Sequence, residues 1–148
     1  MRQLAVALLF TLLAALPLAA QERQVVQLPG ATPQGLPFSP AVRAGNVVYL
    51  SGQIGFLPGT RQLAPGGIAG ETRQAMENIR RVLEASGSSF ARVLRCTVFL
   101  ADIADYAAMN EVYATFFPSD PPARSTIAAS GLAFGARVEI ECMAVTGA

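Results

Sequence analysis

Arg124 is the leading candidate for a chemical role in this sequence, because of its residue type and its position. It lies in the run 121–126, Pro-Pro-Ala-Arg-Ser-Thr, at the start of a segment that is typical of a strand. The 148-residue chain has no histidine, and all 11 of its basic residues are arginines. A guanidinium holds a carboxylate or a phosphate through two parallel hydrogen bonds, but it cannot act as a base or form a Schiff base. We therefore expect Arg124 to bind an anion.

The missing residue types exclude several classes of enzyme. Without histidine there is no Ser-His-Asp or Cys-His nucleophile of the usual kind, and without lysine there is no pyridoxal-phosphate aldimine and no P-loop lysine. Cys96 and Cys142 lie far apart, unlike the paired cysteines of a zinc site. We therefore do not expect a structural zinc site, and the chemistry that remains is acid-base work by carboxylates and electrostatic positioning.

Glu139 and Glu141 are the candidate carboxylates. They alternate with the apolar residues Val138, Ile140 and Cys142, so both side chains should emerge from one face of a strand. The alternative explanation is an ordinary solvated strand face. That explanation fits Glu141 better than Glu139 if a second subunit covers part of this face.

Three polar features each have two explanations, one functional and one purely structural. The Ser51-Gly52-Gln53 run ends a predicted strand, where glycine permits a ligand to approach the backbone, but a plain turn needs the same residues. Asn110 could contact a ligand or simply be solvated on its helix. Arg124 could pair with Asp120 at the surface.

The N-terminus has the pattern of a secretory signal peptide. A short positive region at Met1–Gln3 precedes the apolar run Leu4–Leu16, and small residues lead to a predicted cut after Ala20. An uncleaved membrane anchor is the alternative. We expect residues 1–20 to be removed and residues 21–148 to form a single domain in the periplasm or outside the cell, without stable membrane association.

Charge and composition indicate self-association. Without Arg2, ten arginines balance ten acidic residues, so the mature chain has no overall field to attract nucleic acid. Charged residues make up only 14% of the chain, which leaves surface to be covered by something. In an oxidising compartment Cys96 and Cys142 could form a disulfide, but each also fits as a lone buried thiol.

The predicted elements that position these residues follow the order β-β-α-β-α-β-β after a short edge strand. Strands are indicated by alternation and flanking Gly or Pro, and helices by apolar stripes. The predicted stripes are Ala75, Met76, Ile79, Val82 and Leu83 in the first helix, and Tyr106, Met109, Val112, Tyr113, Phe116 and Phe117 in the second. The predicted ranges are: edge strand Arg23–Leu28; connection Ala31–Pro37; hairpin Phe38–Ala44 and Val47–Gly52 around Gly45-Asn46; loop Gln53–Gly67; helix Gly70–Ser86; strand Val93–Leu100; helix from a cap at Asp102 or Asp105 to Phe117; strands Arg124–Ala129 and Arg137–Val145. This order predicts an α+β fold with both helices on one face of the sheet.

Taken together and in this order, the segments resemble one known family. They are Phe38 followed by Ser51-Gly52-Gln53, then Cys96-Thr97-Val98-Phe99-Leu100-Ala101-Asp102, Asn110 with Tyr113 and Phe116-Phe117, Pro122-Ala123-Arg124-Ser125, and Val138-Glu139-Ile140-Glu141. The sequence resembles the reactive intermediate deaminase family, also called RidA or YjgF, over nearly the whole of residues 21–148.

The resemblance implies a fold, an assembly and a reaction. The expected fold is chorismate-mutase-like α+β, with a mostly antiparallel sheet and two helices on one face. The expected assembly is a homotrimer with three clefts between neighbouring subunits. Deaminases of this family hydrolyse enamine and imine intermediates, such as 2-aminoacrylate and other 2-imino acids, to 2-keto acids and ammonia without a metal or cofactor. The expected ligand is therefore a small 2-imino or 2-keto acid.

The resemblance also suggests roles for individual residues. Arg124 would bind the carboxylate of the imino acid and so orient the neighbouring C=N carbon for attack by water. Glu139 aligns with the functional glutamate of the family and would hold and deprotonate that water, with Glu141 as the second choice. Ser51 and Asn110 match pocket positions and would add polar contacts.

The sequence departs from the family pattern at two pocket positions. Phe38 stands where the deaminases commonly have a tyrosine, and Thr126 stands where they have a cysteine. Phe38 keeps the ring but loses a hydroxyl, so we expect weaker catalysis or a bulkier and more apolar substrate. Thr126 retains a small polar side chain.

Three functions remain open from the sequence. An imine deaminase is favoured because both an anion anchor and a suitable carboxylate are present. A trimeric protein that binds small carboxylates without turnover is the alternative, since export would separate the protein from cytoplasmic sources of aminoacrylate. Ribonuclease activity ranks last, because a neutral chain without histidine or lysine lacks the groups for RNA cleavage.

Overall fold

The computed structural model describes residues 22–28 and 37–147. Its strands and helices are β1 Arg23–Val26, β2 Ala41–Ala44, β3 Val47–Leu50, β4 Gln53–Ile54, α1 Gly67–Ala85, β5 Val93–Leu100, α2 Tyr106–Ala114, β6 Ala123–Ala128 and β7 Val138–Val145. Single 3₁₀ turns at Phe90–Arg92, Ile103–Asp105 and Ala133–Gly135 precede β5, α2 and β7.

The seven strands form one mixed sheet in the order β1-β2-β3-β7-β5-β6, and β4 also pairs with β7. Neighbouring strands are antiparallel except for β5 and β6, which run parallel. The long strand β7 therefore lies in the middle of the sheet, between the hairpin on one side and β5 on the other. This arrangement confirms the predicted α+β fold with a mostly antiparallel sheet.

One face of the sheet forms the core under both helices. Alternate residues of the central strands are buried on this face, and the predicted apolar stripe of α1 is buried against them. A single core cluster joins them to α2; it contains Val98, Leu100, Val138, Ile140 and Ala144 from the sheet, Met76, Ile79, Val82 and Leu83 from α1, and Met109, Tyr113 and Phe117 at α2. The prediction of two helices on one face is confirmed, and the opposite face of the sheet carries no helix of the described chain.

Cys96 and Cys142 form a disulfide across this core. They are direct partners in the antiparallel pairing of β5 with β7, their Cα atoms lie 4.1 Å apart, and both side chains are buried. The structure thus selects the disulfide from the two possibilities that the sequence left open. It ties together the two strands that carry or flank the candidate site residues.

Several predicted boundaries differ from the structure. The hairpin turns at Gly45, which has a positive φ of 59°, but its strands are shorter than predicted, so Phe38 and Ser51 lie just outside them. The segment 53–67, predicted as a loop, contains β4. A two-residue strand is too short to show alternation, and its pairing with Glu139 and Ile140 of β7 is a long-range contact that local sequence does not encode.

The start of α2 also differs from prediction. Asp102 caps the short 3₁₀ turn by accepting a hydrogen bond of 2.9 Å from the Ala104 backbone N–H. Asp105 makes no capping bond and instead accepts two hydrogen bonds from the Arg137 guanidinium, at 2.9 and 2.6 Å. The helix ends at Ala114 rather than at Phe117, and Tyr106, which was placed in the apolar stripe, is 42% exposed.

The predicted signal peptide at residues 1–20 and most of the predicted connection at 31–37 lie outside the described residues. Within the ranges 22–28 and 37–147, no helix has the length and apolar character needed to cross a bilayer.

Candidate active site

Glu139 projects from the open face of the sheet beside the end of the hairpin. It pairs with Ile54 of β4, and its carboxylate occupies the space over Gly52, where a Cβ atom would overlap Oε1. The side chain is half-buried, and this burial, followed by the negative charge of Glu141, raises the pKa of Glu139 above its ordinary value. Glu141 is exposed. Of the two carboxylates, Glu139 therefore has the environment of a general base.

Phe38, Gly52 and Glu139 line a cavity of about 270 Å³, and we call these three residues the Glu139 half-site. Ser51, predicted as a pocket residue, supports this half-site from outside the cavity. Its hydroxyl donates a hydrogen bond of 2.7 Å to the Ser39 carbonyl, and its backbone N–H donates one of 3.0 Å to the Pro40 carbonyl. Ser51 thereby fastens the segment that carries Phe38 to the end of β3.

Arg124 lies on the other face of the sheet, between the edge strand β6 and α2. It is in register with Cys96 of β5, so its side chain leaves the sheet on the helix-covered side. The guanidinium carbon lies 4.6 Å from the centre of the Tyr113 ring, and Nη2 donates a hydrogen bond of 3.3 Å to the Tyr106 hydroxyl. The aromatic rings hold the guanidinium without neutralising it.

No carboxylate of the described residues pairs with Arg124. The ion pairs found there join Arg80 to Glu77 and Arg137 to Asp105, so the alternative of an Arg124–Asp120 pair does not occur in the described residues. A half-buried guanidinium without an acidic partner in the described residues is available to bind an external anion.

Three buried oxygens without hydrogen-bond partners in the described residues belong to α2 and β6, the two elements that flank this guanidinium. Asn110 Oδ1, the Tyr113 hydroxyl and Thr126 Oγ1 are three of the four buried side-chain polar atoms that lack a protein partner in the described chain. Buried polar atoms of folded proteins are nearly always satisfied, by protein, water or ligand. We call Tyr106, Asn110, Tyr113, Arg124 and Thr126 the Arg124 half-site.

The two tyrosines of this half-site titrate differently. Burial raises the pKa of Tyr113 to about 12, against an opposing effect from Arg124. Hydrogen bonding by Asn110, followed by the charge and the hydrogen bond of Arg124, lowers the pKa of the exposed Tyr106. Tyr113 therefore stays a neutral hydroxyl, and Tyr106 is the more acidic donor next to the guanidinium.

The two half-sites cannot meet within one chain. Arg124 and Thr126 share the face of Cys96 and Val98, whereas Glu139 is in register with Phe99 on the opposite face. The edge strand β6, which carries Arg124, is separated from β7 by β5. A site that uses both Arg124 and Glu139 has to be built from two copies of the chain.

Tyr106 and Tyr113 were predicted to belong to the apolar stripe of α2, and their contacts with Arg124 were not predicted. Together with Asn110 they occupy positions i, i+4 and i+7, which lie on one helical face, and this spacing could have identified them as a polar surface facing Arg124. No group of three or more acidic or cysteine side chains that could hold a metal ion occurs among residues 22–28 and 37–147.

Comparison with known proteins places the chain in a family. The family model described as Endoribonuclease L-PSP matches residues 31–146. The 2-iminobutanoate/2-iminopropanoate deaminase of Capra hircus is 46% identical over 111 residues, which cover 75% of this chain and 81% of that protein. Protein DfrA of Myxococcus xanthus is 45% identical over 112 residues, covering 74% of this chain and 86% of that protein.

Solved structures agree with this assignment. The crystal structure of RidA from Psychrobacter sp. PAMC 21119 has a TM-score of 0.77 at 37% identity and covers 82% of this chain and 98% of that one. TdcF of E. coli, solved with bound serine, has a TM-score of 0.77 at 31% identity and covers 84% of this chain and 99% of that one. The chain therefore belongs to the Endoribonuclease L-PSP family, which includes the RidA deaminases that its sequence resembles.

Proposed function

We propose that the protein hydrolyses 2-imino acids, and the enamines in equilibrium with them, to 2-keto acids and ammonia in clefts between the subunits of a homotrimer. The observation that carries this proposal is the Arg124 half-site: a cation without a carboxylate partner, between two elements that carry three buried oxygens without partners in the described chain. Such a site suits a small molecule with one carboxylate and adjacent polar groups.

In this proposal Arg124 binds the carboxylate of the imino acid. A bidentate contact fixes both the position and the plane of the carboxylate, and the stacking on Tyr113 keeps the guanidinium from swinging away. The C=N carbon is bonded directly to the carboxylate carbon, so it is oriented by the same contact. The Tyr113 and Thr126 hydroxyls would donate hydrogen bonds to the carboxylate, and Asn110 Oδ1 would accept one from an ordered water.

Glu139 of a neighbouring subunit would act on the water. The water oxygen forms a bond to the carbon of the protonated imine while Glu139 accepts a water proton, and the imine nitrogen becomes the amino group of a carbinolamine. Glu139 returns its proton to this amino group, the C–N bond breaks to release ammonia, and the hydroxyl oxygen forms the C=O bond as its proton passes to solvent. The raised pKa of Glu139 suits a group that first accepts a proton and then returns it to the leaving nitrogen. One water enters and one ammonia leaves, so no redox partner is needed.

The open face of the sheet supports the proposed assembly. Tyr49 and Ile127 of this face are 49% and 52% exposed, so a neighbouring subunit could bury them, and the low overall charge fits a covered surface. A closed ring of three chains would bring the β6 edge of each subunit to the open face of the next. Each cleft would then contain one Arg124 half-site and one Glu139 half-site.

The names of relatives support the proposed reaction. Deaminases of 2-iminobutanoate and 2-iminopropanoate from several mammals are 43–46% identical over 110–111 residues, and Reactive Intermediate Deaminase A of Arabidopsis thaliana is 41% identical over 108 residues. The serine in the TdcF structure is an amino acid of the size expected for a small imino acid. Ribonuclease activity is suggested by the family description alone. This chain lacks the histidine and lysine side chains that could catalyse RNA cleavage.

Turnover of imino acids tests the proposal directly. Imino acids are generated in situ with an amino-acid oxidase, and their loss is followed by competition with semicarbazide. Wild type should shorten their lifetime, while Arg124→Ala and Glu139→Gln should each lose about 100-fold or more in kcat/KM. Arg73→Ala and Glu84→Gln, at exposed positions of α1, are the matched controls.

The result also separates the two leading functions. If wild type does not accelerate the loss of any imino acid, the deaminase proposal is wrong. Binding of 2-keto acids that disappears in Arg124→Ala would then identify a carboxylate-binding protein without turnover.

We further propose that the chain is exported and cleaved after Ala20. The signal-like residues 1–20 and the Cys96–Cys142 disulfide support this, because disulfides persist in oxidising compartments. Expression of the full chain followed by mass spectrometry of the periplasmic and secreted fractions should find a protein that begins at Gln21. Detection of the uncut chain alone in the cytoplasm would contradict the proposal.

A further inference from the structure

The cavity beside Glu139 is larger than a small imino acid needs. Its volume is about 270 Å³, whereas an apolar cavity of about 150 Å³ is enough to bind benzene. The methyl or ethyl group of iminopropanoate or iminobutanoate would leave most of this space unfilled. Because Glu139 lines the cavity, a substrate whose reacting carbon lies at that carboxylate could direct its side chain into it.

The walls of the cavity are mainly aromatic and aliphatic. Phe38, Phe56 and Phe134 line it together with Leu28 and Leu57. Side chains of this kind favour an apolar occupant, and aromatic rings in particular pack well against another ring. The absence of a hydroxyl at Phe38 removes one polar group from this lining.

Phe134 is held in an unfavourable state at the cavity. Its φ is 58°, which lies in the left-handed region that bulky residues avoid, and its side chain is 61% exposed. The ring lies 5.1 Å from that of Phe56 in an edge-to-face arrangement. Backbone strain and exposed aromatic surface both lower stability, and they are retained where a ligand uses the residue. An apolar group in the cavity would cover this ring.

The wall that carries Phe56 is fixed in advance. The Asn78 amide donates hydrogen bonds of 3.0 Å to the carbonyls of both Ile54 and Phe56, and its own oxygen accepts one of 3.0 Å from Gln74. Asn78 therefore holds the backbone that carries Phe56 against α1. A wall that is already ordered does not lose conformational entropy when a ligand binds.

Two cations also line the cavity. Arg61 and Arg81 have no carboxylate partner among the described residues. Their guanidinium groups can lie on the face of a bound aromatic ring, and they would also attract a second carboxylate. The predominantly apolar lining favours the ring.

We propose that this cavity binds the substrate side chain and that the protein prefers 2-imino acids with a large aromatic side chain over those with a methyl or ethyl group. The proposal rests on the proposed function, whose substrate class it specifies. Phe134 is the residue that determines this preference, since its ring closes the cavity over the side chain.

The test compares imino acids generated from phenylalanine, alanine and glutamate. In wild type, kcat/KM for the phenylalanine-derived substrate should exceed that for the alanine-derived one by about 10-fold or more. Phe134→Gly, which suits the left-handed backbone, should reduce this ratio about 10-fold, and Phe134→Tyr, which keeps the ring, should preserve it. Calorimetric binding of phenylpyruvate and pyruvate provides the same comparison without turnover.

Each outcome decides the proposal. A wild-type ratio near one, a ratio unchanged by Phe134→Gly, or a preference for the glutamate-derived substrate would overturn it. If no imino acid is turned over, but phenylpyruvate binds more tightly than pyruvate by a margin that Phe134→Gly removes, the deaminase function fails and the side-chain preference is supported. Absence of turnover together with equal binding of the two keto acids would contradict both.

Discussion

Gly52 lies so close to Glu139 that a Cβ atom at position 52 would overlap the Oε1 atom of the carboxylate. The φ of Gly52 is outside the left-handed region, so the backbone itself does not require glycine. The position is restricted because the Glu139 carboxylate fills the space that a side chain would need. The end of β3 thus fixes where the proposed general base can lie.

Gly52→Ala should therefore displace the Glu139 carboxylate without unfolding the protein. We expect a fall of about 10- to 100-fold in kcat for imino-acid hydrolysis, because a misplaced base loses its geometry with the water. Steady-state kinetics and thermal unfolding measure the two effects separately. Gly147→Ala is the matched control, since its new Cβ would lie 3.2 Å from Nη1 of the flexible Arg92 side chain, which can move aside, and 3.7 Å from the Gly87 carbonyl oxygen, an ordinary van der Waals contact. Unchanged kcat in Gly52→Ala would show that this carboxylate position is not needed.

The raised pKa of Glu139 predicts the pH dependence of turnover. Glu139 must be ionised to accept a proton from water, so kcat/KM should fall as the pH drops through a pKa above that of an ordinary glutamate. The charge of Glu141 is the second cause of this shift, and Glu141→Gln should move the acid limb of the pH profile to lower pH while leaving the plateau rate nearly unchanged. An acid limb that does not move would show that a different group controls the profile.

The same shift has a consequence for stability. A carboxyl whose pKa is raised on folding stabilises the fold fully below its unfolded pKa, and this contribution is lost as the pH rises through the folded pKa. The ionised form of Glu139 therefore lacks this stabilising contribution at pH 7. Glu139→Gln should abolish turnover without lowering the melting temperature at pH 7, whereas a clear loss of stability would mean that the carboxylate makes stabilising contacts.

The ion pair between Asp105 and Arg137 joins the start of α2 to the residue before β7. Asp105 is buried, its contact to Arg137 is bidentate, and the Arg137 backbone N–H donates a further bond of 2.8 Å to Glu71. Asp105→Asn should lower the free energy of unfolding measurably in urea titrations, since the buried carboxylate and its bidentate charged contact are lost. Glu77→Gln, which breaks the exposed Arg80 pair, should cost no more than about 0.5 kcal/mol. Equal effects of the two changes would contradict this assignment.

The Cys96–Cys142 disulfide should be present in the protein isolated from an oxidising compartment. Alkylation after unfolding, followed by mass spectrometry, should find no free thiol until a reductant is added. The reduced protein should unfold with a stability lower by about 2–4 kcal/mol, because the crosslink restricts the unfolded chain. Two alkylated thiols in the unreduced protein would contradict the pairing.

The sequence predicted local features well and long-range pairing poorly. The apolar stripe of α1 and the alternation along β7 were readable because each repeats several times within one element. The two-residue strand β4 has no such repeat, and the placement of Arg124 and Glu139 on opposite faces depends on the register of β5 with both β6 and β7. That register is set by tertiary packing.

At the candidate site, too, residue types were predictable from the sequence and long-range contacts were not. Arg124 and Glu139 were identified from residue type and motif, whereas the contacts of Tyr106 and Tyr113 with Arg124 required the packing of α2 on β6. Ser51 was expected to contact a ligand, yet its hydroxyl bonds to the Ser39 carbonyl. A hydroxyl at a strand end has many possible partners, and sequence alone does not choose between them.

The central claim is that Arg124 of one subunit and Glu139 of its neighbour form one site, and subunit mixing tests it most directly. Arg124→Ala and Glu139→Gln chains, each inactive alone, are unfolded together, refolded in equal amounts and shown by native mass spectrometry to have co-assembled. With random mixing, about one cleft in four of a cyclic trimer receives an intact Arg124 half-site and an intact Glu139 half-site. Recovery of about a quarter of wild-type imino-acid hydrolysis is the predicted result. Activity that stays at the level of the separate variants in proven mixed trimers would contradict the shared site.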